Sequence, residues 1–450
     1  MDMFKTKKVL LYIFIVIQIF NIPAFSVEDV KLPSAQYVTG ITFNDILDKA
    51  KNHSYDLKLA DFNTLISKTG IKAARSEYFP KLNASIGTEY TKNFRDARES
   101  TVMSIGEAFI NPYTRFQSVM GIALNYNLFD FGVRRGNLNA AKEDVSIKEL
   151  EEQEKWQELR LNLVDTYTKI LLAKKQLSYY NNILALQQKN LEFKTRLFEA
   201  QEISALELND ANVETETIKN RIADLNSMLS ESLEWLSFYT GETYNIKDFT
   251  IEDIKKPDFD VTAFHDYTKS LTWQIREKYI KKKEYELKVA QRMNYPKVNL
   301  YSKYYWYGSD PNNFGDSIKD ISQSNFSIGG SVNWLAFDGM KNRANIQKTS
   351  LELQQLHVER DKAVAQLMTR LATMRSNLIY VNEQSNSSEK IIKELKTKEK
   401  SVHRLLAKGL ATPIEENEVK IQILNHQIEQ VKNTTTATAL IKGIEILTEY

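Results

Sequence analysis

The dominant pattern in the chain is a seven-residue repeat of apolar positions in two long stretches. Residues 139–200 contain neither glycine nor proline, and residues 340–408 contain neither as well. The first heptad line is formed by Leu163, Ile170, Leu177, Leu184, Leu191 and Phe198. The second is formed by Leu367, Met374, Val381, Leu395 and Val402, with Ser388 interrupting it. This spacing is typical of coiled-coil seams. At 1.5 Å per residue each helix would be roughly 90 Å long, and it needs partners along that length.

Four shorter stretches alternate between apolar and polar residues with a period of two. Alternation begins at Lys81, with Leu82, Ala84 and Ile86 on one face, and it returns at 122–128. It recurs at 298–306 and again at 326–334. Such alternation predicts strands with one apolar and one polar face, here two hairpins at 81–130 and 297–338. By itself, this alternation favours the half-buried sheets of an ordinary soluble domain.

Short motifs indicate that the chain contains a two-fold internal repeat. An aromatic-Pro-Lys-Leu/Val-Asn motif precedes each hairpin, around Pro80 and Pro296, and Phe-Asp motifs end the hairpins at Asp130 and Asp338. The second long stretch is broken at 409–413, which contains a glycine and a proline. Counting the same distance from Asp130 predicts that the first stretch turns at 201–205, although 138–240 contains no glycine or proline.

These patterns predict the organisation of the whole chain. Residues 1–26 have lysines before a short apolar run, as in a cleaved export signal, with an uncleaved anchor as the alternative. The first repeat is expected at 27–240, with a helix, the hairpin, a long helix at 133–200 and a return helix at 206–238. An insert at 241–272 follows. The second repeat, 273–450, has its long helix at 340–408 and its return helix at 414–447.

The predicted strands have an apolar face that no predicted helix covers. Four strands are too few to close a barrel with space inside, and open sheet edges promote aggregation. Several chains that pool their hairpins would form a closed barrel with an apolar outside and a polar lumen, as a bilayer requires. Candidates for its aromatic girdles are Tyr90, Tyr126, Tyr304, Tyr305, Trp306, Tyr307 and Trp334.

Composition removes several classes of function. The 60 basic and 58 acidic residues nearly balance, which argues against a nucleic-acid binder. The chain has no cysteine, and its five histidines lack metal-ligand spacing. The sequence contains no nucleophile-elbow, P-loop or dinucleotide-binding motif. We therefore expect neither a cofactor nor enzyme activity.

In the order and spacing of these motifs, the chain resembles the TolC-like outer-membrane efflux proteins of Gram-negative bacteria. The resemblance implies an α+β membrane protein, a homotrimer with a 12-stranded outer-membrane β-barrel continued by a long periplasmic α-helical barrel. It implies a passive exit duct of a tripartite efflux pump or type I secretion system. The expected partners are a periplasmic adaptor, an inner-membrane transporter and outer-membrane lipid. The alternative is a periplasmic coiled-coil tether without a conducting lumen.

The resemblance also implies functional residues. Glu415 and Glu418 would ring the periplasmic entrance and favour cations, with Glu207 and Asp210 as first-repeat counterparts, although ordinary solvated helix carboxylates are the alternative. The tip turns expected to contact the adaptor contain Gln201, Glu202, Ser204, Gly409, Thr412 and Pro413. Charge reversal there without effect on assembly and transport would refute that expectation. The barrel-to-helix junctions contain Pro80, Asp130, Gly132, Pro296, Asp338 and Gly339.

The chain departs from the family pattern at its tips. The family archetype closes its tip partly through a tyrosine and an arginine, and the matching positions here are Leu406 and Ala411. The first turn has Gln201 where glycine is typical. We therefore expect a different closure.

Overall fold

A computed structural model describes residues 40–91, 104–105, 108–109, 116–244, 250–254 and 266–449. The expected export signal at 1–26 lies outside the described residues. The same is true of parts of the expected insert at 241–272 and of most of the polar stretch between the first two strands.

Long helices and a four-stranded sheet make up the described structure. The helices are α1 Phe43–His53, α2 Tyr55–Ser76, α3 Val133–Glu199, α4 Ala205–Thr240, α5 Leu271–Arg292, α6 Phe314–Lys319, α7 Lys341–Leu406 and α8 Pro413–Thr448. The strands are β1 Gly40–Ile41, β2 Lys81–Tyr90, β3 Ser104–Ile105, β4 Ala108–Phe109, β5 Phe116–Phe129, β6 Thr250–Ile251, β7 Lys297–Asp310 and β8 Gln323–Asn333. At 1.5 Å per residue, α3 and α7 are each about 100 Å long.

The segment before the first hairpin divides into two helices, whereas the sequence pattern predicted one helical stretch. Ser54 separates α1 from α2, because its backbone leaves the helical region at ψ 124°. Its hydroxyl accepts a hydrogen bond from the amide of Leu57 at 3.4 Å, which caps the N-terminus of α2. A polar side chain that can cap a helix therefore sets a break that hydrophobic periodicity did not reveal.

The main sheet confirms the prediction of four strands per chain. Its order is β2-β5-β7-β8, and every neighbouring pair is antiparallel. The second strand begins at Phe116, earlier than the clear alternation in the sequence. Residues paired across strands lie on the same face, so Ile86, Met120 and Trp306 share the apolar face. Val119 and Tyr307 lie on the opposite, polar face.

Two expectations about this sheet were wrong in detail. Tyr305 and Tyr307 lie on the polar face, so they cannot join an aromatic girdle on the apolar side. A Cβ on Gly121 would overlap the ring of Tyr305, so this ring lies flat against the neighbouring strand. In addition, the short helix α6 packs on β5 and β7, although no helix was expected to cover the apolar face.

The helices continue the four strands as four columns. The strand β5 leads into α3 and β8 leads into α7, and both helices run the full length of the helical layer. In the first column α2 lies next to the sheet and α4 lies farther from it. In the third column α5 lies next to the sheet and α8 lies farther from it. Each of these four helices contacts α3. The remaining contacts, α5 with α7 and α7 with α8, place α7 at the other edge. The columns therefore follow the strand order.

The hydrophobic core is concentrated at one level of the helical layer. At this level α2 meets α4 in the first column, and α5 meets α8 in the third. Leu163, Tyr167 and Ile170 of α3 are fully buried there, and α1 contributes Ile46. The described part of the insert also reaches this level, because the hydroxyl of Tyr167 donates to the backbone oxygen of Glu252 at 2.7 Å. The strand β6 of the insert pairs in parallel with β1. Compact packing at this level holds the thin helical layer together.

Candidate functional site at the helix turns and strand junctions

Both long helices end in the same type of turn. After α3 the amide of Glu202 donates to the carbonyl of Leu197 at 2.8 Å, and Gln201 has a φ of +62°. After α7 the residues 208 positions later make the matching bond at 2.9 Å, and Gly409 has a φ of +74°. This arrangement is the Schellman motif, which pairs backbone groups at a helix C-terminus. Gln201 and Gly409 therefore have the same backbone role.

This equivalence predicts opposite effects of two substitutions on stability. A left-handed conformation costs a residue with a side chain about 1–2 kcal/mol, whereas glycine adopts it freely. We expect Gly409→Ala to lower the free energy of unfolding by about that amount, and Gln201→Gly to raise it by about 0.5–1 kcal/mol. Urea unfolding of the detergent-solubilised protein measures both changes. Effects of the same sign would contradict the shared geometry.

Two of the predicted entrance carboxylates take part in the caps of the return helices. The amide of Glu415 donates to the hydroxyl of Thr412 at 3.2 Å, while the carboxylate of Glu415 accepts from the amide of Thr412 at 2.7 Å. This is a capping box, and Pro413 occupies the first helical position. In α4 the cap is Ser204, whose hydroxyl accepts from the amide of Glu207 at 3.3 Å and donates to the carboxylate of Glu207 at 3.4 Å. Glu207 and Glu415 therefore stabilise the starts of the two return helices.

The other two predicted carboxylates face solvent. Asp210 and Glu418 are exposed, and neither makes a hydrogen bond or an ion pair with any residue in the described part of the chain. Within that same part, no such contact joins the first-repeat pair to Glu415 or Glu418. Of the predicted acidic set, Asp210 and Glu418 are therefore the two whose charge is not used in capping.

Glu416, which lies between the two predicted second-repeat carboxylates, forms contacts that the sequence analysis missed. Glu416 lies 3.0 Å from the Nζ of Lys420 and 3.0 Å from the Nδ1 of His403 on α7. The hydrogen-bonded Lys420 lowers the pKa of the Glu416 carboxyl, and His403 lowers it further. Because a lowered carboxyl pKa stabilises the fold, this contribution is lost as the pH falls through that pKa. In the sequence, the four-residue spacing of Glu416 and Lys420 was the signal that could have indicated their ion pair.

Polar residues also join neighbouring helices near the tip, where an apolar heptad seam was expected. Asn417 of α8 donates to Asn190 of α3 at 2.7 Å. Gln187 of α3 donates to Glu214 of α4 at 2.5 Å. Asn190 and Gln187 are buried. Leu406, which ends α7, and Ala411 have no polar side chain that could link helices at the tip. The hydrogen-bonded pairs Asn417–Asn190 and Gln187–Glu214 link helices in this region.

The first strand-to-helix junction contains a buried ion pair. Asp130 accepts hydrogen bonds from the amides of Gly132 and Arg134 at 3.0 and 3.1 Å, and its carboxylate lies 2.9 Å from the Nε of Arg134. The two side chains are only 6% and 11% exposed. Phe131 and Gly132 both have positive φ, which turns the chain sharply from β5 into α3. Sequence analysis identified Asp130 and Gly132 but missed Arg134.

Arg134 connects three parts of this junction. Its guanidinium donates to the backbone oxygens of Glu77 and Leu128, each at 3.2 Å, and lies 5.0 Å from the ring centroid of Tyr78. It therefore joins the end of α2, the end of β5 and the start of α3. Planar guanidinium groups suit such multiple contacts because their donors form a fixed fork.

The second junction has the same backbone geometry with different chemistry. Gly339 and Met340 have φ values of +68° and +71°, and the carboxylate of Asp338 accepts from the amide of Asn342 at 2.8 Å. Asn342 occupies the position that corresponds to Arg134, so this junction lacks the ion pair. The side chain of Asn294 donates to Asp338 at 3.2 Å.

Both prolines of the junctions lie directly before a strand. Pro80 precedes β2 and Pro296 precedes β7. A turn comes before each: the amide of Tyr78 donates to Arg75, and the amide of Tyr295 donates to Arg292. Proline is suited to these positions because it supplies no amide hydrogen for sheet pairing.

The chain with this architecture also matches a known protein family. The model of the outer membrane efflux protein family matches residues 46–242 and 274–440. The chain belongs to the outer membrane efflux protein family. This is a family of efflux ducts and not of enzymes. Within the described residues, no group of three or more histidines or carboxylates could hold a metal ion. No helix in that part of the chain is both long and apolar enough to cross a membrane.

Solved structures of outer-membrane channels have the same fold as this family member. The Campylobacter jejuni CmeC outer membrane channel is 15% identical with a TM-score of 0.73, over 96% of this chain and 94% of that one. The Vibrio cholerae outer membrane protein VceC is 14% identical with a TM-score of 0.71, over 90% and 95%. CusC is 13% identical with a TM-score of 0.73, over 95% and 97%. No curated protein matches the chain in sequence.

Proposed function

We propose that three copies of the chain close into one ring that forms a duct through the outer membrane. The main support for this proposal is that the two edges of the four-column layer are built from different elements. One edge consists of β2, α2 and α4, and the other consists of β8 and α7. Unlike edges that fit each other join head to tail, and such contacts generate a closed ring when the rotation closes.

Strand number supports three copies. Three chains with four strands each would give twelve strands, enough to enclose a lumen, whereas four strands are not. Closure would also pair the free edges of β2 and β8, as required in a bilayer. The apolar face would then meet lipid, while the polar face, which carries Asn125, Lys303 and Ser327, would line the lumen.

The helical parts of both edges carry the apolar surface that such a ring needs. On the first edge, the exposed large apolar side chains include Leu59, Phe62, Ile66, Val213, Trp235 and Phe238. On the α7 edge they include Leu351, Val358, Met368, Ile379 and Tyr380. In the ring these stripes would pack against each other and continue the barrel as an α-helical tube. The matching turns and junctions 208 residues apart support a two-fold repeat in its wall.

As a member of the outer membrane efflux protein family, the protein would serve as the passive exit duct of a tripartite efflux pump or a type I secretion system. It would lie in the outer membrane of a Gram-negative bacterium and project into the periplasm. A periplasmic adaptor would bind the tips, where Leu206 and Leu410 are exposed, and an inner-membrane transporter would supply the energy. Exposed apolar side chains at a helix tip suit a protein partner.

Conductance across a planar lipid bilayer tests the duct and its entrance together. We expect the wild-type protein to give small cation-selective currents. The double variant Asp210→Asn/Glu418→Gln should lose much of this selectivity, because acidic clefts can raise local cation concentration about tenfold or more. These two residues are chosen because Glu207 and Glu415 contact the capping residues Ser204 and Thr412, so replacing those would also disturb the turns.

A matched control variant has the same change in net charge at positions far from the turn. Glu383→Gln/Glu389→Gln removes two negative charges from exposed positions of α7, about 30–40 Å from Gly409 at 1.5 Å per residue. Its selectivity should stay close to that of the wild type. Equal effects of both variants would place the entrance elsewhere, and a folded wild-type trimer without any current would count against a conducting lumen.

A further inference from the structure

The short helix α6 lies on the apolar face of the sheet, near the end that is farthest from the long helices. The hydroxyl of its fully buried Ser317 lies 2.6 Å from the hydroxyl of Ser118 on β5. A Cβ on Gly308 of β7 would overlap the backbone oxygen of Ser317. Ser118 and Gly308 are paired residues on the face that also carries Met120. A serine contact and a glycine therefore seat α6 closely on this face.

The remaining surface of α6 is amphipathic. Phe314 and Ile318 are four residues apart, so they lie on one side of the helix, and both are exposed. Asp316 and Lys319 lie on the other side and form an ion pair at 3.0 Å. A helix with one apolar and one charged side is the pattern of an element lying in the interface between water and lipid.

Aromatic residues mark the level of α6 on the sheet. The ring of Phe314 lies 4.7 Å from that of Phe116, which lies 4.9 Å from that of Tyr90. A second aromatic cluster, containing Phe129 and Phe131, lies at the other end of β5. From Phe116 to Phe129 the strand is about 43 Å long, or roughly 30 Å along the barrel axis at a tilt of about 45°. This matches the thickness of the hydrocarbon core.

The position of α6 on the sheet indicates that lipid, and not a second copy of the chain, contacts its exposed side. Its main contacts with the sheet are with β5 and β7, the two inner strands. A second copy would bind at the edges β2 and β8, whereas α6 lies on the strands between them. The surface that continues around α6 is the apolar face of the sheet, with exposed side chains such as Ile86 and Ile328.

We propose that α6 is an interfacial helix that inserts Phe314 and Ile318 into the outer leaflet, at the boundary between headgroups and acyl chains. Asp316 and Lys319 then face water. The inference rests on the proposed barrel, whose outer surface is the apolar face. Its consequence is that α6 anchors the rim of the barrel at a defined depth in the bilayer.

The absence of cysteine allows a direct test with single spin labels. The variants are Ile318→Cys on the apolar side and Lys319→Cys on the charged side of α6, Ile86→Cys on the apolar face of the sheet and Leu410→Cys at the tip. Ile86 is 74% exposed, Leu410 72% and Ile318 50%, so labels at these positions disturb little packing. The full-length protein is reconstituted in phosphatidylcholine–phosphatidylglycerol vesicles. Collision with oxygen reports lipid exposure, and collision with a water-soluble nickel chelate reports water exposure.

We expect oxygen to dominate at Ile318, less strongly than at Ile86, while the nickel chelate dominates at Lys319 and Leu410. Nickel access at Ile318 equal to that at Leu410 would overturn the interfacial helix. Low access of both reagents at Ile318 would also overturn it, because protein would then cover this side. Nickel access at Ile86 would instead refute the barrel itself, so failure of the inference and failure of the proposed function give different results.

Discussion

Replacement of Arg134 by methionine is expected to lower the free energy of unfolding by about 3–5 kcal/mol, the usual cost of removing one partner from a buried ion pair. The carboxylate of Asp130 is only 6% exposed and would lose its counter-ion. The backbone oxygens of Glu77 and Leu128 would lose a donor at the same time. Urea unfolding or heat dissociation of the detergent-solubilised protein measures the loss.

Arg135→Met is the matched control for this prediction. Arg135 is the next residue of α3 and is exposed, so the same change in net charge should alter stability by less than about 0.5 kcal/mol. The double variant Asp130→Asn/Arg134→Met should recover part of the loss, because it removes the unpaired charge and keeps an acceptor for the helix amides. Equal stability of the two methionine variants would show that the ion pair does not hold the junction.

Phe62→Asp/Ile66→Asp is expected to prevent assembly of the ring while leaving the monomer folded. The two side chains are 60% and 65% exposed, and they lie on the side of α2 opposite to Ala60 and Thr64, which pack toward α3. In the ring each would be buried, at about 1.5–3 kcal/mol per side chain. The substitutions replace this gain with the cost of two unpaired carboxylates. Light scattering on the purified detergent complex distinguishes monomer from trimer.

Phe198→Asp serves as the control for the assembly prediction. Phe198 is also an exposed aromatic residue, but it belongs to α3, an inner column of the layer. Its replacement should leave the trimer intact. A trimer that survives the double substitution in α2 would refute the proposed edge contact, whereas loss of helical circular dichroism would indicate unfolding and not failed assembly.

The predicted first turn shows how far local sequence information reaches. Residues 138–240 contain no glycine or proline, and only the distance from Asp130, compared with the second half, indicated a break near Ser204. The structure has a left-handed Gln201 at that place. A helix can therefore end at a residue with an unfavourable backbone conformation when the following Ser204 caps the next helix.

The acidic residues near the tips show what local information leaves open. The sequence indicated Glu415 and Glu418 as a pair, but their chemistry differs because one carboxylate bonds to the backbone of Thr412 and the other faces solvent. Glu416 lies between them, and the sequence marks it only by its four-residue spacing from Lys420. Its contact with His403 depends on how α7 and α8 fold back on each other, which is a long-range property.

The sequence by itself determined the main elements of this protein: the two long helices, the four two-faced strands and the turns at the ends of the two long helices. Most of these depend on local physics, since hydrophobic periodicity, proline, glycine and capping residues act within a few positions. The turn near Ser204 is the exception, because only the internal repeat indicated it. Only the tertiary structure decided the column order, the buried pair of Asp130 and Arg134, and the placement of α6 on the apolar face. These depend on which distant side chains meet, as Ser118 and Ser317 do, and no local pattern specifies such contacts.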